Sequence, residues 1–232
     1  MRPEQAKSDT AVHPSRRRAG AALMTSGGLF FTAEFIAAAA WTDPPYSYTH
    51  HFISNLGVRG PSTAFGQFMH SPLAWVMNTG FFLFGLAALA GVLLLRGLPG
   101  RWHRPAVASA ALLATGGVLL AFFPGSGDVT DSGGTDLHGV GAFLAFSAGN
   151  VLAILLGRMR EPIGVSRRLG RGLVAAGVLG LISIAAFLAV LASGAGILIG
   201  LVERGIVYPF LIGFVVVGAA LRRRRTATAG RH

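Results

Sequence analysis

Apolar residues gather along the chain into six long stretches separated by polar connections. They fall at residues 20–41, 72–95 and 105–123, then from Thr135 or Asp136 to 157, at 172–193, and from the Gly194-Ala195-Gly196 turn to the run Arg222, Arg223, Arg224, Arg225. A helix rising about 1.5 Å per residue crosses about 30 Å of hydrocarbon in about 20 residues, and each stretch is near that length. Pro72 suits a first helical turn, Pro124-Gly125 closes the third stretch, and Thr135 or Asp136 can cap the fourth. The pattern predicts an all-α integral membrane protein, a six-transmembrane-helix bundle. Its expected organisation is a disordered cytoplasmic tail over 1–19, the membrane domain over 20–221 and a basic cytoplasmic tail over 222–232. A cleaved leader competes for the first stretch, because Arg16, Arg17 and Arg18 precede it and the alanines at 37–40 mimic a cleavage region. Glu34 inside the apolar run, and a length that suits a full span, oppose the leader.

Residues 42–70 interrupt this pattern. They hold Asp43-Pro44-Pro45, Tyr46, His50, His51, Asn55, Gly57 and Pro61, whose prolines and glycines oppose one continuous helix, so a structured extracytoplasmic loop between helices 1 and 2 is expected. Composition agrees with the membrane reading: of 232 residues, 52% are hydrophobic and 12% charged, too few charges to coat a water-soluble globule. The mean hydropathy is +0.59. A net charge of +11 would suggest nucleic acid if it formed one patch, but the cations are divided among loops. No nucleic-acid site is expected. Their division instead orients the chain: the N-terminal segment, the second and fourth connections and the C-terminus hold nearly all of them, while the first, third and fifth connections hold only Arg59. By the positive-inside rule both termini are cytoplasmic (N-in/C-in) and the protein lies in the plasma membrane. An anionic-lipid or partner-binding role for the arginines is the lesser alternative. Cysteine is absent, which removes disulfide-linked partners, thiolate ligands and thiol nucleophiles. The abundant glycine, 33 residues, suits close helix packing within one chain or between chains, and so leaves the oligomeric state open.

Candidate chemistry collects toward the predicted outer side. Glu34 and Glu203 lie inside apolar spans, each about two turns from the outer helix end, and an ionisable group there costs several kcal/mol unless it is paired or faces a wet cavity. Arg204 follows Glu203, but neighbouring helix positions differ by about 100°, so Arg204 is free to reach Glu34 instead. A Glu34–Arg204 clamp between the first and last helices is the structural reading, and a functional carboxylate is its rival. At the same level stand His50, His51 and Asn55 of the loop, His70 and Asn78 near the second helix, and Asp136 and His138 at the fourth. The candidate ligand pocket is Glu34, His51, Asn55, Asn78, His138, Glu203 and Arg204. Should a metal bind, the donors are His50, His51, His70, Asp136 and His138, which would suit a divalent ion such as zinc, although no His-Glu-x-x-His helix fixes a ligand set. Ser54 or Ser71 would need a histidine and Asp136 to act as nucleophile, and no Gly-x-Ser-x-Gly elbow is present. Asn78 and Asn150 suit interhelical hydrogen bonds.

The segments His51-Phe52-Ile53-Ser54-Asn55-Leu56-Gly57, Ser71-Pro72 and Met77-Asn78 carry a resemblance, continued by Phe123-Pro124, Leu137-His138-Gly139 and Gly200-Leu201-Val202-Glu203-Arg204. In these the chain resembles a prokaryotic membrane family catalogued as a domain of unknown function, with the pattern Ile-Ser-(Asp/Asn)-Leu-Gly, Ser-Pro and Met-Asn. That resemblance implies a six-helix fold with the motif residues on one side, and it brings no established activity. A weaker resemblance links Ile53-Ser54-Asn55-Leu56-Gly57 and Pro61 to the Frag1/DRAM/Sfk1 membrane family, some members of which act in lipid-anchor remodelling or lipid organisation. Here Asn55 stands where that family has Asp, and Leu56 where it has Thr, so a carboxylate is missing. It tilts the expectation toward lipids. The expected function is a multi-pass membrane protein whose outward-facing polar pocket binds or remodels a lipid or other amphipathic ligand. The alternatives are a metal-dependent hydrolase at the same pocket, a small transporter using Glu34 and Glu203, and a purely structural protein.

Overall fold

A computed structural model describes residues 14–95, 98–125, 135–194, 196 and 198–223. Asp128 and Asp131, Arg96, and most of the two tails, including Arg224 and Arg225, lie outside the described residues. Among the described residues six helices are long and apolar enough to cross a membrane. They are α1 (Pro14–Ala40), α2 (Ala74–Leu93), α3 (Gly100–Phe122), α4 (Leu137–Arg158), α5 (Arg167–Ser193) and α6 (Ile199–Arg223). α1 begins within the segment expected as tail, so Arg16, Arg17 and Arg18 form its first turns. Asp136 caps α4, its Oδ1 accepting the Gly139 N–H at 2.8 Å, and Ser166 caps α5 by accepting from Leu169 N. α5 closes at Gly194, whose φ of +65° suits a residue without Cβ.

Sequence-adjacent helices run antiparallel. α1 to α4 follow one another around the bundle, and α6 returns to α1 while also touching α4, so these five helices close a ring. α5 packs outside the ring, on α4 and α6. Small residues let the backbones approach: a Cβ added to Gly20 would meet Gly218 O, and one added to Gly218 would meet Gly20 O. The core runs from Leu23, Val92 and Leu156 through Phe84 and Phe210 to Ile53 and Leu56. Ile182 is 62% exposed and Leu179 54%, as expected of faces that meet lipid rather than water.

The connection between α1 and α2 is a folded cap at one end of the ring. It contains a 3-10 turn at Ser54–Gly57 and a hairpin of β1 (Ser62–Ala64) and β2 (Gln67–Met69), paired Ser62 with Met69, Thr63 with Phe68 and Ala64 with Gln67. The opposite end carries the exposed Arg17, Arg18, Arg158, Arg167, Arg168, Arg171, Arg222 and Arg223. Met159, Ile163 and Val165, from the α4–α5 connection, are buried there and fill the space between the helices. Arg16 ties α1 to the same connection through Pro162 O at 2.8 Å.

Candidate functional site

Arg204, on the second turn of α6, is the centre of the cap end. It is 5% exposed, and a guanidinium so placed must spend all its N–H groups inside the protein. Nη2 donates to Glu34 Oε1 at 2.9 Å and to Tyr46 Oη at 2.6 Å, and Nε donates to the same Glu34 oxygen at 3.2 Å. Nη1 faces the carbonyls of Tyr48, His51 and Gly200 at 2.6, 3.2 and 2.9 Å. Its Cζ lies 4.9 Å from the centre of the Tyr48 ring, close enough for a cation–π contact. Every donor has a partner within the fold, so Arg204 fastens α1, α6 and the loop together.

Glu34 is fully buried on α1. Its Oε1 also accepts from the Tyr208 hydroxyl at 3.0 Å, while Oε2 has no hydrogen-bond partner among the described residues. Tyr46 donates its own hydroxyl to Phe52 O at 3.0 Å, and burial pushes this phenol well above its ordinary pKa against the pull of Arg204. His51 packs against both Trp41 and Tyr46, its ring centre 5.3 Å from each, and these two lie 5.4 Å from one another, so the three rings form a triangle. Its Nδ1 accepts the Ser47 N–H, which requires the neutral ring. Burial, then His50 and Arg204, hold the His51 pKa below the usual imidazole value.

Glu203 points away from this cluster, as the helical turn requires. Its Oε2 accepts the Ile53 N–H, and the Ser54 N–H adds to it, so a carboxylate sits at the N-terminus of the Ser54–Gly57 turn. Asn55 donates Nδ2 to Gln67 Oε1 at 2.6 Å, Gln67 Nε2 donates to His50 O, and Asn78 Nδ2 donates to Gly57 O at 3.0 Å. These bonds fix the turn to the hairpin and to α2. Beneath the turn lies a narrow cleft whose cavity measures about 20 Å3, room for about one water-sized group. All five ring helices line it, with Phe30, Phe81, Phe84, Phe146 and Phe210 as its aromatic wall and Ile53, Ser54 and Glu203 at the roof.

The residues expected to share one polar pocket are therefore divided among four places. Glu34, His51 and Arg204 meet in the clamp; Asn55 and Asn78 hold the loop; Glu203 alone borders the cleft. His138 lies apart at the α3–α4 junction, where Nδ1 donates to Phe123 O at 2.9 Å. The donors named for a metal are spread likewise: His50 bonds Ser47 and Thr49, His70 is exposed beside Phe68, and Asp136 caps α4. Among the described residues no three His, Asp or Glu side chains gather at one point. The sequence reading overlooked Tyr46, Gln67 and Tyr208 as site residues. Tyr208 had a signal, standing one helical turn after Arg204 on the same face; the Gln67 contacts depend on hairpin register, which nothing local announces.

Fold and site together define a multi-pass membrane protein of six spans with a folded cap at one end. The chain belongs to the family described as Protein of unknown function (DUF998), which matches residues 14–220. No curated protein and no solved structure matches the chain.

Proposed function

We propose that this protein is a membrane-embedded binding protein for an amphipathic, lipid-like molecule, received at the cap end of the ring. The distribution of arginines supports an extracytoplasmic position for that end at the plasma membrane. The observation that carries the reading is the cleft: phenylalanines from four different helices converge on one space at a bundle centre, with a single ionisable side chain, Glu203, at its roof. Such walls suit an acyl chain, which would enter by parting the rings, because the closed cavity of about 20 Å3 has room for only a water-sized group. A ligand hydroxyl, amide or ammonium would bond to Glu203 or Ser54. The Arg204 clamp and the Asn55–Gln67 pair hold the roof in place and do not themselves touch the ligand.

The test is the lipid content of protein purified in mild detergent, read by native mass spectrometry. The intact protein is expected to retain an amphiphile. Ala142→Val, which narrows the cleft from α4 by about the volume the cavity holds, is expected to lower retention while leaving the unfolding temperature near that of the parent. Equal retention by both proteins would remove the cleft as the binding place.

A further inference from the structure

α5 is buried unevenly along its length. Gly170, Leu173, Gly177 and Gly180 are its buried residues, and all lie in the half toward the arginine end. From 181 to 193, in the half beside the cap, none is buried. Yet α5 covers the ring's weakest seam, since α4 and α6 touch each other less than any two helices adjacent in sequence, and Asn150 Nδ2, donating to Ile206 O at 3.1 Å, joins them at the level of Gly180.

The seam leads to the cleft. Phe187 of α5 lies edge-on to Phe146 at 6.1 Å between ring centres and to Phe52 at 5.8 Å. Phe146 lines the cleft, and Phe52 immediately precedes the roof residues Ile53 and Ser54. One layer of aromatic rings therefore separates the cleft from a helix segment whose other face is lipid-exposed, with Leu188 52% exposed. Ring-on-ring contacts reorient at small cost compared with parting a hydrogen-bonded or glycine-tight helix pair.

We propose that the cap-side half of α5 is a lateral door, through which an acyl chain of a bilayer lipid passes sideways into the cleft without crossing water. This inference rests on the binding function proposed above and adds the source of the ligand and its route. Gly180 and Gly177 hold the other half of the helix against α4, where a Cβ at either would strike Asn150, so the motion is confined to the turns beyond them.

The chain has no cysteine, so an engineered pair is unique. A Cβ built at Gly205 lies 3.5 Å from Ser183 Cβ, within the span of about 3.5–4.5 Å that a disulfide bridges. In vesicles of phosphatidylcholine containing a diazirine-bearing acyl chain, photolabelling of the cleft residues Phe84 and Phe210 in the full-length protein, read by peptide mass spectrometry against time, reports loading. The Ser183→Cys/Gly205→Cys protein is expected to load about tenfold more slowly when oxidised than when reduced. Phe187→Ala adds no bond, removes the ring at the door, and is expected to load faster than the parent; it decides the matter if the cysteine pair does not fold. Equal rates for oxidised and reduced protein, or an unchanged rate in Phe187→Ala, would overturn the door while leaving the binding function standing, because the parent would still label. A parent whose cleft residues never label would overturn both.

Discussion

At the scale of single residues, the cap end shows how a membrane protein keeps a full charge in an apolar setting. Arg204 has a partner for every donor, whereas Glu34 relies on Arg204 and Tyr208 for all of its hydrogen bonds among the described residues. The two ends of this ion pair are therefore unequal. Replacing Arg204 by Met strands a fully buried carboxylate and leaves the carbonyls of Tyr48 and His51 without the guanidinium donor. A loss of about 3–5 kcal/mol is expected. Glu34→Gln keeps an acceptor near the guanidinium, which retains its other partners, so its cost is expected to be smaller, about 1–3 kcal/mol. Chemical unfolding in detergent micelles reads both. A reversed order would mean that Glu34, rather than Arg204, organises the clamp. Arg204→Lys belongs with the severe change, because an ammonium cannot reach two sides of the loop at once.

At the scale of elements, the 3-10 turn is held by three neighbours: Glu203 from α6 at its start, Gln67 from the hairpin at its middle and Asn78 from α2 at its end. Gly57 is required by that last contact, since a Cβ there would strike Asn78 Oδ1. Gly57→Ala is expected to destabilise the cap by about 1–3 kcal/mol. Adding Asn78→Ala should recover part of this loss, because the colliding atom is gone, a coupling that a double-mutant cycle measures directly. Simple additivity would mean that Gly57 matters for some other reason. Much of this level was legible from the chain. The spans follow from hydrophobic length, the Asp136 cap from residue type, and the different directions of Glu203 and Arg204 from helix geometry. The Glu34–Arg204 pair was readable because both lie at similar depth. The shared pocket was not, because depth along a helix says nothing about azimuth around the bundle. Asn55, Asn78 and His138 lie near one level yet face the hairpin, the turn and the end of α3. The aromatic cleft was hidden for the same reason: its phenylalanines are ordinary span residues until four helices bring them together.

At the scale of the whole molecule, the two ends of the bundle differ in kind. The arginine end is filled by Met159, Ile163 and Val165 and rimmed by cations, while the cap end holds the cleft and the buried polar network. On the function proposed here the cap end is the working face, and the side of the membrane on which it lies decides which leaflet would supply the ligand. The charge pattern predicts the extracytoplasmic side, because translocating so many arginines is disfavoured. Since the chain is free of cysteine, two single substitutions at exposed positions test this. Thr63→Cys lies in the cap hairpin, and Arg168→Cys lies on the first turn of α5 at the opposite end. In intact cells a membrane-impermeant maleimide is expected to label Thr63→Cys at once and Arg168→Cys only after permeabilisation. The opposite result would put the cap in the cytoplasm and make the inner leaflet the source of any lipid that enters past α5. Labelling of both without permeabilisation would require two orientations in one membrane, which an even number of spans permits only if whole molecules insert both ways round. The strong bias of cations toward one end of this bundle opposes that mixture.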